Sequence, residues 1–466
     1  MRKITDLPQV PGFSGYVLAA SLAAALGGLL YGFTLSVIAG AETAITGRFG
    51  LGNLERGLVV GNLDLGAAAG ALAAGLLGDR LGRKRVILSI AALYFGSSVL
   101  TALAPDVPAI LLGRSMAGLA VGASLVLPLF IAEISPARWR GLLVGFVQVA
   151  IVMGILLAYI VSLLLVDSGA LSWRWMFGAG VPLAAVFLVS AAFLPESPRW
   201  LVTRGRTGEA LAILTRLEDR DRAAEAVREI GETVQAEARG WRELFRPANR
   251  RALKVGLLVS VTSVAVGINA VILYGPAILM RGGRDLHEAL VGSIFLGAVN
   301  LAATIAAVPW IDRIGRKPLL LAGLAGTALS MAALGFFFRP GTTEAAGGSV
   351  WALASILAFV AFYAVSLGPI TWILVSEIFP TSVSGAAMAV SLVAMYLTDF
   401  AVTLLFPSLM AATGGDGFFC FTAFSIAAAF LVTRFVPETK GRSLEQVHRS
   451  WARERGGGIP HEETRP

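Results

Sequence analysis

The feature that most restricts this chain is a series of apolar runs, each about as long as a bilayer crossing. They fall near 14–41, 56–78, 86–104, 109–132, 141–166 and 173–194, then near 252–280, 288–310, 318–338, 350–376, 385–412 and 417–436. A helix needs roughly 20 apolar residues to cross the hydrocarbon core. Only 15% of the 466 residues are Asp, Glu, Lys or Arg, against about 25% in a soluble domain. That is too little charge to coat a globule of this length, so lipid is the expected solvent and twelve helical spans the expected fold.

The net charge of +8 does not point to nucleic acid, because the basic residues sit in short runs between apolar stretches. Arg80, Arg83, Lys84 and Arg85 fall on one side with Arg138 and Arg140, with the central polar stretch, with Arg313, Arg316 and Lys317, and with the C-terminal tail. The positive-inside rule then puts both termini in the cytoplasm. The expected division is an N-terminal six-helix bundle at 1–194, a cytosolic linker with amphipathic helices at 195–251, a C-terminal six-helix bundle at 252–436 and a cytosolic tail at 437–466. Within the linker, 207–217 and 221–238 have helical periodicity. The single cysteine, Cys420, excludes an internal disulfide.

The two halves repeat each other. Gly78-Asp79-Arg80-Leu81-Gly82-Arg83-Lys84 recurs as Asp312-Arg313-Ile314-Gly315-Arg316-Lys317, Glu133 as Glu377, and Pro195-Glu196-Ser197 as Pro437-Glu438-Thr439. Three motifs in one order mark a duplication, and parallel repeats of this kind place a solute site near the midplane between the halves. No nucleotide loop, metal-ligand spacing or nucleophile–base pair is present, so an enzyme, a metal or a cofactor is not expected.

Together with Gly267-Ile268-Asn269-Ala270-Val271, Pro195-Glu196-Ser197-Pro198-Arg199, Ser376-Glu377-Ile378-Phe379-Pro380 and Pro437-Glu438-Thr439-Lys440-Gly441-Arg442, these motifs resemble the sugar porter family of the major facilitator superfamily. The resemblance covers nearly the whole chain. It implies an all-α integral membrane fold of two six-helix bundles related by a pseudo-two-fold axis, with short cytosolic helices between them. It also implies secondary transport of a monosaccharide or polyol by alternating access, in the plasma membrane, as a monomer without a cofactor.

From the resemblance, Gln148, Asn269, Asn300 and Trp372 stand where relatives bind sugar. Amides offer the paired donors and acceptors that suit vicinal hydroxyls, and an indole packs on a pyranose face. The plainer reading of intramembrane Asn and Gln is helix-packing glue. Ser263, Val264, Ile155 and Met395 replace amides found in relatives, so a pentose, a polyol or a deoxysugar suits the set as well as a hexose. The expected cytoplasmic gate is Asp79, Arg83, Glu133, Arg140, Glu196, Asp312, Arg316, Glu377 and Glu438, bridging the halves when that side shuts. Ser384 stands where relatives have an Arg, and Arg434 is a candidate substitute.

Coupling is the open question. Proton-coupled relatives carry an Asp in a first-span Gly-Tyr-Asp motif, and this chain has Gly32-Phe33-Thr34. Thr34 does not titrate, which favours a facilitator. Asp64 and Asp399, however, are embedded in apolar sequence, where a charge costs roughly 2.5–3.5 kcal/mol on insertion scales. Asp64 and Arg114 fall about 22 and 28 Å above the cytoplasmic helix ends. The expectation is therefore that an Asp64–Arg114 pair couples transport to a proton, and that Asp399 is a direct ligand. Proton symport is favoured over uncoupled uniport; an exporter of another solute and a sugar sensor are the remaining alternatives.

Overall fold

The computed structural model describes residues 15–136, 138–217, 220–236, 241–247, 249–339, 348–379 and 383–440. Expectations for 1–14, for Pro380 and for the tail from Gly441 onward lie outside these residues, as does the side chain of Asp312. Every regular element among the described residues is helical. That is what lipid demands of an open chain, since a helix satisfies its backbone hydrogen bonds within one segment.

The first three spans are Gly15–Phe49, Asn53–Leu81 and Arg83–Ala102; the fourth is Val107–Ala123 with Val126–Ile134. The fifth is Arg140–Leu165, and the sixth Ser172–Gly178 with Gly180–Ala192. Four short helices follow at Pro198–Thr203, Thr207–Leu217, Arg220–Ala236 and Trp241–Leu244. The seventh span comes in three pieces, Arg250–Ala265, Ile268–Leu273 and Gly275–Arg281. The eighth is Leu286–Ile314, the ninth Arg316–Phe337, and the tenth Gly348–Val365 with Leu367–Ile378.

Of the stretches long and apolar enough to cross a membrane, the last is Gly385–Phe435, at 51 residues. As one helix it would be about 77 Å long, more than twice the roughly 30 Å core. A 3₁₀ turn at Gly414–Gly417 divides it into an eleventh span, Ser384–Thr413, and a twelfth, Phe418–Phe435. The described residues thus make twelve crossings. One face carries the start of the first span, the end of the twelfth and the four short helices, and is the linker face; the other is the far face.

Close helix packing follows from glycines placed where backbones meet. A Cβ on Gly66 or Gly70 of the second span would run into the carbonyls of Ser115 and Leu119. Gly118 and Gly122 of the fourth are held in the same way against Leu63 and Ala67. Two small-residue stripes at four-residue spacing thus face one another, the geometry that lets helices associate where no hydrophobic force separates them from lipid. Gly28 and Gly32 repeat it against the fifth span, at Val147 and Ile151.

The duplicated motifs build two equivalent corners on the linker face. Gly82 (φ 94°) and Gly315 (φ 104°) turn the chain into the third and ninth spans through a backbone conformation that glycine adopts without strain. Glu196 accepts from the amides of Arg83 (2.8 Å) and Lys84 (3.1 Å), and Glu438 from those of Arg316 and Lys317 (both 3.0 Å). Each glutamate therefore caps the N-terminus of a helix distant in sequence, where exposed N–H groups favour an anion. At Glu438 burial acts to raise the pKa, but amide bonds from Lys440, Arg316, Lys317 and Thr439 outweigh it and hold the carboxyl below its usual 4.5.

Two outcomes follow. The contribution of Glu438 is complete above its unfolded pKa and fades as pH falls through the lower folded value. Glu438→Gln should cost about 1 kcal/mol at neutral pH, with the gap to the parent narrowing in acid, as read from melting curves at both pH values. Gly118→Val should destabilise by about 1–3 kcal/mol or prevent insertion, because its new methyls meet backbone rather than a movable side chain; the same melting assay checks it.

Candidate functional site

The polar interior gathers where the second span lies against the eleventh, across the junction of the two halves. Successive positions along the second span alternate between two neighbours. Leu63, Gly66 and Gly70 face the fourth span, whereas Gly57, Gly61 and Gly75 face the eleventh, against Leu404, Phe400 with Thr403, and Ala389. Asp64 falls on the second of these faces at three- and four-residue spacing. It is 2% exposed, and the charges nearest to it belong to Asp399 and Arg114.

This corrects the expected Asp64–Arg114 ion pair. Among the described residues Arg114 makes none; its Nη2 donates instead to the Val60 carbonyl at 2.7 Å. Its Nε and Nη1 are buried without a hydrogen-bond partner among those residues. Arg114 also borders a cavity of about 10 Å³ shared with Thr34, Ser97, Ser98 and Thr101. The sequence places both groups in the outer half of the membrane, but depth leaves helix rotation open. The glycine stripe turns Asp64 past the fourth span toward the eleventh.

Asp399, also 2% exposed, accepts a hydrogen bond from the side-chain amide of Asn269 at Oδ2, and its Oδ1 has no partner among the described residues. Asn269 reaches it because the seventh span is interrupted. Gly267 (φ 92°) ends the first helical piece, and Tyr274 and Gly275-Pro276 end the second. Such breaks are tolerated at membrane depth only where protein or a cavity satisfies the freed backbone. Beside this pair, Tyr31 of the first span meets Tyr396 of the eleventh at 3.4 Å between hydroxyls.

The remaining expected ligands are dispersed. Gln148 is half-buried in the fifth span, Asn300 is 6% exposed in the eighth and Trp372 is 38% exposed in the tenth. No hydrogen bond joins them to Asn269 or Asp399 among the described residues. A larger cavity of about 160 Å³ lies toward the far face, between Arg56, Tyr274, Arg281, Phe338, Phe406 and Phe418.

On the far face the halves are shut against each other. Tyr159 donates to the Ile272 carbonyl at 2.8 Å, His287 meets Asp167 at 2.9 Å, and Gly297 abuts Leu156 and Tyr159. On the linker face the described ion pairs close within each half; the expected bridging applies to a shut linker face, whereas the face shut here is the far one. Arg83 holds both carboxylate oxygens of Glu133 at 3.2 Å and Asp79 at 3.0 Å. Arg316 holds Glu377 at 3.0 Å, and Thr439 donates to the same carboxylate. Arg140 is exposed and forms no ion pair among the described residues. Arg434 stacks over Phe435 at 5.8 Å and likewise forms none. Each arginine is held by acids of its own half because the duplicated turn brings the helix ends of one half together.

Sequence reasoning missed three features. The buried Glu42 and the half-buried Arg56 form an ion pair linking the first two spans. Asn62 donates to the Leu111 carbonyl (2.6 Å) and to Ser115 (2.7 Å). The Tyr31–Tyr396 contact is the third. Glu42 follows the end of the first apolar run, and the helix runs on to Phe49 because Arg56 neutralises it. The tyrosines carry no signal in a single sequence, being ordinary membrane residues.

The profile of the family described as "Sugar (and other) transporter" matches residues 20–451. A putative metabolite transport protein of Bacillus subtilis, YwtG, is 38% identical over 93% of this chain and 95% of its own length. The arabinose-proton symporter of the same organism is 34% identical over 94% and 95%. Among solved structures, the xylose transporter XylE of E. coli in a partially occluded inward-open conformation superposes with a TM-score of 0.83. That match has 32% identity and covers 92% of this chain and 100% of that one. A twelve-span helical bundle with duplicated capped corners, matched over nearly its full length, belongs to the sugar transporter family of the major facilitator superfamily.

Proposed function

We infer that the chain carries a monosaccharide or a related polyol across the membrane by alternating access, in symport with a proton. The observation that carries this reading is the Asn269–Asp399 pair, buried at the junction of the halves where the seventh span is broken. An amide beside a carboxylate with an unpartnered oxygen offers donors and acceptors spaced for vicinal hydroxyls. Gln148, Asn300 and Trp372 are the further ligands in this reading, approaching as the halves close around solute. A discontinuous helix at a midplane site fits the same picture.

The symport assignment rests on the buried carboxylates of Asp64 and Asp399, with Arg114 as the compensating charge, and is supported by the similarity to an arabinose-proton symporter. Uniport is the second reading, favoured by Thr34 in the first span, which has no proton to give. The Lys- and Arg-rich linker face is the cytoplasmic one on the positive-inside rule, so both termini are cytoplasmic, in the plasma membrane. The clusters around Arg83 and Arg316 act as the hinge corners of a gate on that side.

The test is uptake of labelled arabinose, xylose and inositol into proteoliposomes, with and without an inward proton gradient. Uphill accumulation of at least one that collapses with the gradient supports symport. Downhill equilibration alone supports uniport, and no saturable uptake of any of the three contradicts the sugar assignment. Asn269→Ala should raise KM about 2–13-fold, the equivalent of one hydrogen bond worth roughly 0.5–1.5 kcal/mol. Trp372→Ala should raise it by a similar factor.

A further inference from the structure

We propose that Asp64 and Asp399 form a single proton-binding site, one carboxyl from each half, and that the shared proton holds the far face closed. The proposal rests on the symport reading for its place in a transport cycle, but the site itself is argued from helix register and charge.

The second and eleventh spans run antiparallel, and their contacts keep step. A Cβ added to Gly57 would run into the Leu404 backbone, one on Gly61 would lie 3.2 Å from Phe400 and 3.4 Å from Thr403, and one on Gly75 would lie 3.8 Å from Ala389. Positions advance on one helix as they retreat on the other, with about 1.5 Å of rise per residue on both. Asp64, three residues beyond Gly61, and Asp399, adjacent to Phe400, therefore lie at one level of the interface. Their charges act on each other directly.

The charges around the pair decide its protonation. Arg114 of the fourth span is the cation facing Asp64. Tyr31, Tyr274, Tyr363 and Tyr396 complete the titratable neighbours and are neutral. Asn269 donates to Asp399. Two carboxylates and one guanidinium, each no more than 2% exposed, carry a net negative charge that water does not screen. One proton makes the set neutral, and two carboxylates at one site titrate as a unit that gives up its protons in separate steps. No group of three or more His, Cys, Asp or Glu side chains able to hold a metal ion lies among the described residues.

The consequence for the cycle is directional. Closing the far face brings the carboxyls together, so closure requires the proton. Loss of that proton through the linker face leaves two like charges at one level of the interface, and their repulsion reopens the far face. Proton entry and exit are thereby tied to opposite sides of the membrane.

The experiment measures the distance between spin labels at Asn53→Cys and Ala412→Cys, at the far ends of the two helices. It uses full-length protein in nanodiscs, with Cys420→Ser and His287→Gln removing the native thiol and the His287–Asp167 contact that joins the halves on that face. No sugar is present, so a failed substrate assignment leaves the result intact. The ratio of long to short distance should rise with pH, at most about tenfold per pH unit for a single proton. Asp64→Asn and Asp399→Asn should each hold the short distance at every pH, and Asp64→Glu should keep the response with a displaced midpoint. A parent insensitive to pH, a response that survives Asp64→Asn, or closure restored by sodium at high pH would each overturn the proposal.

Discussion

Charge inside the bundle constrains everything else in this molecule. In a hydrocarbon slab an ionised side chain is tolerable only beside a compensating group, and the buried charges sit where helices make that possible. Glu42 finds Arg56 across a three-residue turn. Asp64, Asp399 and Arg114 lie where both halves meet, so the balance of charge there depends on whether the halves are together. If the proposed site binds one proton, this packing interface is also an electrostatic one, and it links conformation to protonation.

The glycine stripes make this arrangement possible. By letting the fourth span approach the backbone of the second, Gly66 and Gly118 fix the rotation of the second span about its own axis. That rotation presents Asp64 to the eleventh span. On the linker face the same economy appears twice, where a glutamate following the sixth or the twelfth span caps the third or the ninth. The capped corners tie each half into a rigid unit and leave the movement to the junction between them.

Much of the fold was legible in the sequence because lipid enforces it. Span lengths, the duplicated motifs and the charged linker follow from hydropathy and repetition, and the family follows from the paired Pro-Glu signatures. Contacts between helices were less legible. Asp64 and Asp399 stood out as acids in apolar sequence, but their meeting depends on a register that no single span encodes. The same limit explains Arg114, whose partner turned out to be the Val60 carbonyl. It also explains the gate residues, because a repeated motif does not say whether an arginine pairs within its own half or across to the other. Glu42 was hidden because hydropathy ends a span at its first charge, whereas the helix continues.

Sugar and charge should move in one event at the junction of the halves. The most direct measurement is the current evoked when a transported sugar is added to proteoliposomes adsorbed on a solid-supported membrane at equal pH on both sides. The account predicts an inward movement of positive charge with each sugar pulse, abolished by Asp399→Asn. Sugar uptake of undiminished rate with no accompanying current would contradict it.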